Sequence, residues 1–354
     1  QLGPVPVLIR FHAHEGEKEW SFLSHIVKTL HGEGRSVSVA LVQDRHVVID
    51  PKAWALFITY VLERVNGHVD CVEVGHAVNR VKWGIWDLDE HRRLLEAAAA
   101  ISDRYPGTKF MGPAAIDFEY PFLMAALKNV PEKLHFSFLS HHLYVDRRGA
   151  PENRQGIFSA LEKFALARAI AHRSSKCDDG LIVSEVNWPL KGTGVYSPVG
   201  SPYESPGPRY NDPSVTEDEY ADYMIRYMMI AICSGMVDRL FWWRLVARGY
   251  GLVDDTDPDR WRKRPAYVAL QQFLSLLGEG EFLEKLPAGK EGVHLFMFAV
   301  KNGRKVCVAY SSPGETSFKP SFEFSHIINL LGEKIETGTG IIVLSGRPVY
   351  IFLK

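Results

Sequence analysis

The sequence predicts an α/β barrel of the TIM (β/α)8 type, followed by a small antiparallel β domain. Three observations carry this expectation. Apolar runs of strand length alternate with segments whose apolar residues recur at helical spacing, which is the pattern of βαβ units around a parallel sheet. Polar and aromatic residues gather where those runs end, as they do at the C-terminal mouth of such a barrel. After Gly278 the texture changes to short β-type runs split by Gly, Asn and Ser.

In chain order, Val5 to His12 is an apolar run ending in polar residues, hence a strand. Lys18 to Leu30 then carries Trp20, Leu23, Val27 and Leu30 at helical spacing before Gly32 and Gly34 stop the helix. Ser36 to Leu41 is the next strand, and Pro51 suits the first turn of a helix whose Trp54, Phe57, Ile58, Val61 and Val65 form one apolar face. Val69 to Gly75 reads as a strand, Asp89 to Tyr105 as a helix, Lys109 to Ala114 as a strand and Tyr120 to Lys128 as a short helix. Leu134 to Leu139 follows as a strand, Gly156 to Ser174 as a helix, and Leu181 to Val183 as a strand buried on both faces. A Pro-, Gly- and Ser-rich loop, Leu190 to Thr216, leads to a helix at Glu217 to Ser234, a last strand at Val237 to Trp243 and a last helix at Arg264 to Leu277. That makes about seven strands, one short of a closed barrel, so the sheet is expected to be open or to have its first strand before Gln1 or missing. The boundary falls between a barrel domain, 1–278, and a β domain, 279–354, too small to be expected to stand alone.

Composition narrows the function. The chain has 354 residues with 41 basic and 42 acidic side chains, a net charge of -1, and the two signs are mixed along it. Neither a nucleic-acid footprint nor a polybasic membrane patch is expected, and no apolar run reaches spanning length. No signal peptide is visible, although the chain begins at Gln1 rather than Met. Cys71, Cys177, Cys233 and Cys307 show no metal-ligand spacing and read as free thiols, which favours a reducing, cytoplasmic location. Oligomeric state is not legible.

The candidate site residues follow the strands. They are Arg10 and His12; His76 and Asn79; Asp117 and Glu119; His141 and Tyr144; Glu185 and Trp188; and Trp242. Aromatic platforms beside carboxylates suit a carbohydrate, whose C–H faces stack on indole and whose hydroxyls bond to Asn, His and Arg. Trp242 and Trp243 must alternate in facing, so one of them packs outward. His12-Ala13-His14 resembles the ligand pair of metal-dependent amidohydrolase barrels, but no Asp closes the last strand and no HExxH helix is present, so neither a metal nor a cofactor is expected.

In their order, these motifs resemble the retaining glycoside hydrolases of clan A, most of all glycoside hydrolase family 39. Leu8-Ile9-Arg10-Phe11-His12 is similar to the family's second strand. Val72-Glu73-Val74-Gly75-His76-Ala77-Val78-Asn79 is similar to the fourth, which there ends Gly-Asn-Glu-Pro-Asn. Gly112-Pro113-Ala114 resembles the fifth, Ser140-His141-His142-Leu143-Tyr144 the sixth and Val183-Ser184-Glu185 the seventh. The resemblance implies that Glu185 is the nucleophile. It also implies a departure, because Ala77 stands where the family has its acid/base Glu, and alanine transfers no proton. The expectation is therefore a glycosidase or transglycosidase acting on an oligo- or polysaccharide, with His76 as substitute proton donor. A substrate with a good leaving group would need no donor. The alternative is a catalytically inactive carbohydrate-binding pseudoenzyme.

Overall fold

The structure, a computed structural model, describes residues 2–3, 5–193, 214–337 and 340–354, so most of the Leu190 to Thr216 loop lies outside the described residues. Seven parallel strands pair in chain order: β1 (Val7–His12), β2 (Val37–Val42), β3 (Cys71–Val74), β4 (Phe110–Ile116), β5 (Phe138–His142), β6 (Leu181–Val186) and β7 (Arg239–Trp242). The helices are α1 (Glu17–Gly32), α2 (Arg45–Ile49), α3 (Pro51–Val65), α4 (Leu88–Ser102), α5 (Tyr120–Lys128), α6 (Ala160–Arg173), α7 (Glu217–Cys233) and α8 (Pro265–Leu277).

Local chemistry places several helix starts. Asp50 caps α3 ahead of Pro51, Asp87 caps α4 by accepting from the Glu90 amide at 2.8 Å, and Thr216 with Glu219 forms a capping box on α7. The fifth strand differs from expectation: it begins at Phe138 and runs on through His141 and His142. The earlier apolar residues Leu134 and Phe136 are buried in the connection before it, so their hydrophobicity reported burial rather than strand.

The sheet curls into a nearly closed barrel. Cys71, Met111, Ile182 and Phe241 pack together with Leu8 and Phe138, one residue from each strand except β2, and only a strongly curved sheet brings six strands to one cluster. Among the described residues β1 and β7 do not pair, which leaves the seam where an eighth strand would close the ring. Outward-facing Phe11, Val39, Leu41, Val72, Val74, Leu139 and Val183 belong to the main core under the helices.

After a short hairpin, β8 (Val253–Asp254) with β9 (Arg262–Lys263), the chain forms an antiparallel module. Its strands are β10 (Glu281–Lys285), β11 (Val293–Ala299), β12 (Lys305–Ser311), β13 (Thr316–Phe318), β14 (Phe324–Asn329), β15 (Lys334–Ile335), β16 (Ile342–Leu344) and β17 (Val349–Leu353). Six of them make one sheet in the order β10-β11-β12-β17-β14-β15, and β13 pairs with β16. Strand alternation splits its faces: Leu295, Met297, Cys307 and Ile351 form a local core, whereas Phe296, Phe298, Val308 and Tyr350 join the barrel's.

Arg226 of α7, only 3% exposed, ties the two parts together. It pairs with Glu152 from the loop after β5, donates to Ser312 Oγ at 2.8 Å and reaches the Gly346 carbonyl at 3.3 Å. Arg226→Met removes one partner of a largely buried ion pair and should lower unfolding stability by about 3 kcal/mol. Pairing it with Glu152→Gln should restore part of the loss, as read from urea midpoints of the two single variants and the double.

Candidate active site

Alternation along the strands decides which side chains enter the barrel, except on β6, where a register shift between Val183 and Val186 reverses the parity and brings Glu185 inward. On β1, Leu8 joins the interior cluster and Phe11 the outer core, so Arg10 shares the inward face. Arg10 donates to Glu185 at the end of β6, and the Tyr144 hydroxyl donates to the other oxygen of the same carboxylate. Glu185 is 6% exposed and Tyr144 4%. His76, from the turn after β3, places Nε2 at 4.0 Å from Glu185 Oε2. Gln43 holds that turn from both ends, donating to the His76 carbonyl at 2.8 Å and accepting from its amide at 2.9 Å. Gly75, at φ 90°, and Ala77, at φ 42°, carry the chain through it. Ala77 is buried and offers the site no functional group.

Glu73 and His142 lie beneath this pair, both fully buried, with His142 Nε2 at 3.5 Å from Glu73 Oε1. Neither carboxylate oxygen of Glu73 has a hydrogen-bond partner among the described residues. Glu73, His76 and His142 each bring one donor atom within 4.8 Å of the others. Ligands on a shared zinc stand about 3.4 Å apart, so an ion here would have to draw the three together. The His76 ring packs edge-on against Trp83 at 4.4 Å and sits 4.5 Å from the His142 ring. His12 lies on the same wall, 6.4 Å from Trp83.

Geometry divides the sequence candidates between the barrel interior and its surroundings. His141 points away from the barrel interior and bonds the Asp117 carbonyl at 2.6 Å, while its neighbour His142 faces Glu73 and His76. Trp242 stacks on Trp188 at 5.6 Å and donates to the Tyr220 hydroxyl at 2.7 Å, so it packs outward against α7. Its neighbour Trp243 is the one that meets the site, with the Arg10 guanidinium 5.2 Å from its ring. Trp188 is fully buried among Tyr223, Tyr227 and Trp242 and gives no face to a ligand. Asn79 braces β4, accepting from the Ile116 amide at 2.8 Å and donating to Glu119 at 2.7 Å. Asp117 and Glu119 are both bound to Arg80, at 2.7 and 2.8 Å. Strand parity with Phe138 and Phe241 selects His142 over His141 and Trp243 over Trp242; Trp83, in a 3-10 turn, carries no sequence signal of its place.

The electrostatics separate two roles. Burial pushes the Glu185 carboxyl up, but Arg10, His142 and the Tyr144 hydrogen bond outweigh it and hold the group at about 2. Burial, reinforced by Arg10 and His142, takes His76 well below its ordinary value, so the ring is neutral near pH 7. Burial likewise lowers His12 and His141, each to about 4. A ring held neutral has no surplus proton to give, which argues against His76 as the donor, and the same burial makes it a weaker base than a free imidazole. Because Glu185 is depressed in the folded state, its contribution to stability is present above its unfolded value near 4.5 and is lost as pH falls towards 2. The stability difference between wild type and Glu185→Gln should therefore shift against the wild type by up to ~3 kcal/mol between pH 5 and 2, measured by denaturant titration at each pH.

No protein-family model matches the sequence, and no curated protein does. Solved structures do resemble the fold. The GH51 arabinofuranosidase from Xanthomonas axonopodis pv. citri aligns with a TM-score of 0.58 at 12% identity, over 96% of this chain and 79% of that one. The GH39 enzyme from the same organism aligns with a TM-score of 0.58 at 13% identity, over 98% and 87%. The catalytic domain of GH30 xylanase C from Talaromyces cellulolyticus gives 0.55 at 8% identity, over 99% and 86%. The GH39 enzyme is not set apart from the others. A nearly closed parallel barrel with a C-terminal antiparallel sheet is thus the fold this chain shares with clan A glycoside hydrolases.

Proposed function

We propose that the chain is a glycosidase-type protein acting on an oligo- or polysaccharide by a retaining route, with Glu185 as nucleophile. The observation that carries this reading is the double grip of Arg10 and Tyr144, which keeps a nearly buried carboxylate ionised at the C-terminal end of β6. In the first step a Glu185 oxygen bonds to the anomeric carbon while the bond to the leaving oxygen breaks, its electron pair departing with that oxygen. Ala77 supplies no proton, and Asp117 and Glu119 are engaged by Arg80, so the substrate must bear a leaving group stable as an anion. In the second step water attacks the glycosyl-enzyme, gives its proton to neutral His76, and Glu185 is released. The same facts about Ala77, Asp117 and Glu119 favour the competing reading, a sugar-binding protein without turnover.

A 2-deoxy-2-fluoroglycosyl fluoride needs no acid, so it should add its glycosyl mass to the peptide holding Glu185 and leave Glu185→Gln unlabelled. Dinitrophenyl glycosides should be turned over at least about 10²-fold faster than alkyl glycosides, and His76→Ala should slow release of the label more than its formation. Glycan binding with neither labelling nor turnover of any activated glycoside would establish the binder instead.

A further inference from the structure

Charge pairing around the mouth is uneven. Arg10 is matched by Glu185, Arg45 by Glu90 at 2.6 Å, and Arg80 by Asp117 and Glu119. Arg148 and Arg244 form no ion pair with a carboxylate among the described residues. Arg148, in the loop after β5, lies over the Tyr144 ring at 3.6 Å and donates to Asn187 Oδ1 at 3.2 Å. Arg244, just after β7, donates to the Val246 carbonyl at 2.8 Å and lies 5.7 Å from the Trp243 ring, the same indole that Arg10 approaches. Partial desolvation and the nearby Arg10 charge disfavour its cationic form, and Asp255 offsets them only from a distance. β6, which carries Glu185, lies between β5 and β7 in the sheet, so Arg148 and Arg244 follow the two strands that flank it. Arg148 is half-buried and Arg244 exposed, and each lies against an aromatic ring that itself contacts Glu185 or Arg10.

We propose that the glycan received at this mouth is acidic, with one anionic group taken by Arg148 and a second, on the other side of the reacting sugar, by Arg244. The inference rests on the carbohydrate reading above and adds the substrate class to it. Guanidinium groups suit carboxylate and sulfate alike, since a planar fork of N–H donors meets two oxygens at once.

The test is affinity electrophoresis of the wild-type chain, at low ionic strength, through gels holding polygalacturonate or alginate, chondroitin sulfate, or neutral dextran. Retardation by a carboxylated or a sulfated polymer, at least tenfold tighter than by dextran, is expected, and whichever arm responds names the anion. Arg148→Met and Arg244→Met should each weaken that binding about tenfold, whereas Arg304→Met, on the C-terminal sheet, should leave it unchanged. Thermal melts check that each variant is folded. Equal affinity for dextran, no retardation by any polymer, wild-type affinity in both mouth variants, or an equal loss in Arg304→Met would overturn the proposal. Labelling of Glu185 by the fluoro-sugar reports separately on the glycosidase reading, so failure of the acidic class and failure of that reading give different results.

Discussion

The contact on which the site depends is the pair of hydrogen bonds that Arg10 and Tyr144 make to Glu185. A carboxylate this deeply buried is driven towards its neutral form unless charge and hydrogen bonds hold it ionised. Here the holding groups come from the first strand and the end of the fifth, 175 and 41 residues before Glu185 in sequence. The barrel must therefore be curled before the site exists. The interior floor of Leu8, Cys71, Met111, Phe138, Ile182 and Phe241 supplies that curvature without polar groups, and leaves the ionisable residues a layer above it.

Around this contact the remaining polar side chains divide into those that face the reacting place and those that hold the loops in position. Gln43 pins the turn that carries His76, and Asn79 with Arg80, Asp117 and Glu119 ties the ends of β3 and β4 together. Such residues look functional in a sequence, since they are polar and follow strands. Their bonds are spent on backbone and on one another. His76 is different, because its ring lies among Trp83, His142, Glu73 and the edge of Glu185, and its burial keeps it neutral.

Two adjacent-residue choices show how far reading along the chain can go. His141 and His142, and Trp242 and Trp243, each present one ring inward and one outward. The polar or aromatic character of the pair marks the place, while strand parity marks the member. For the histidines the parity was hidden by a strand expected to end at Leu139, which actually continues to His142. For the tryptophans, Phe241 in the interior cluster puts Trp243 on the same side and sends Trp242 to Trp188 and Tyr220.

By itself the sequence determined the alternation of strands and helices, the count of seven parallel strands, the change to an antiparallel module after Gly278, and the placing of Arg10, Tyr144 and Glu185 near one mouth. These follow from hydrophobic period, turn residues and strand ends, all of which are local along the chain. Only the tertiary structure decided that Trp188 is core, that Asp117 and Glu119 are tied to Arg80, that His76 is buried beside Glu185, and that Arg148 and Arg244 have no carboxylate partner among the described residues. Each of those depends on which side chains meet across strands far apart in sequence, and on the desolvation that closing the barrel imposes on them.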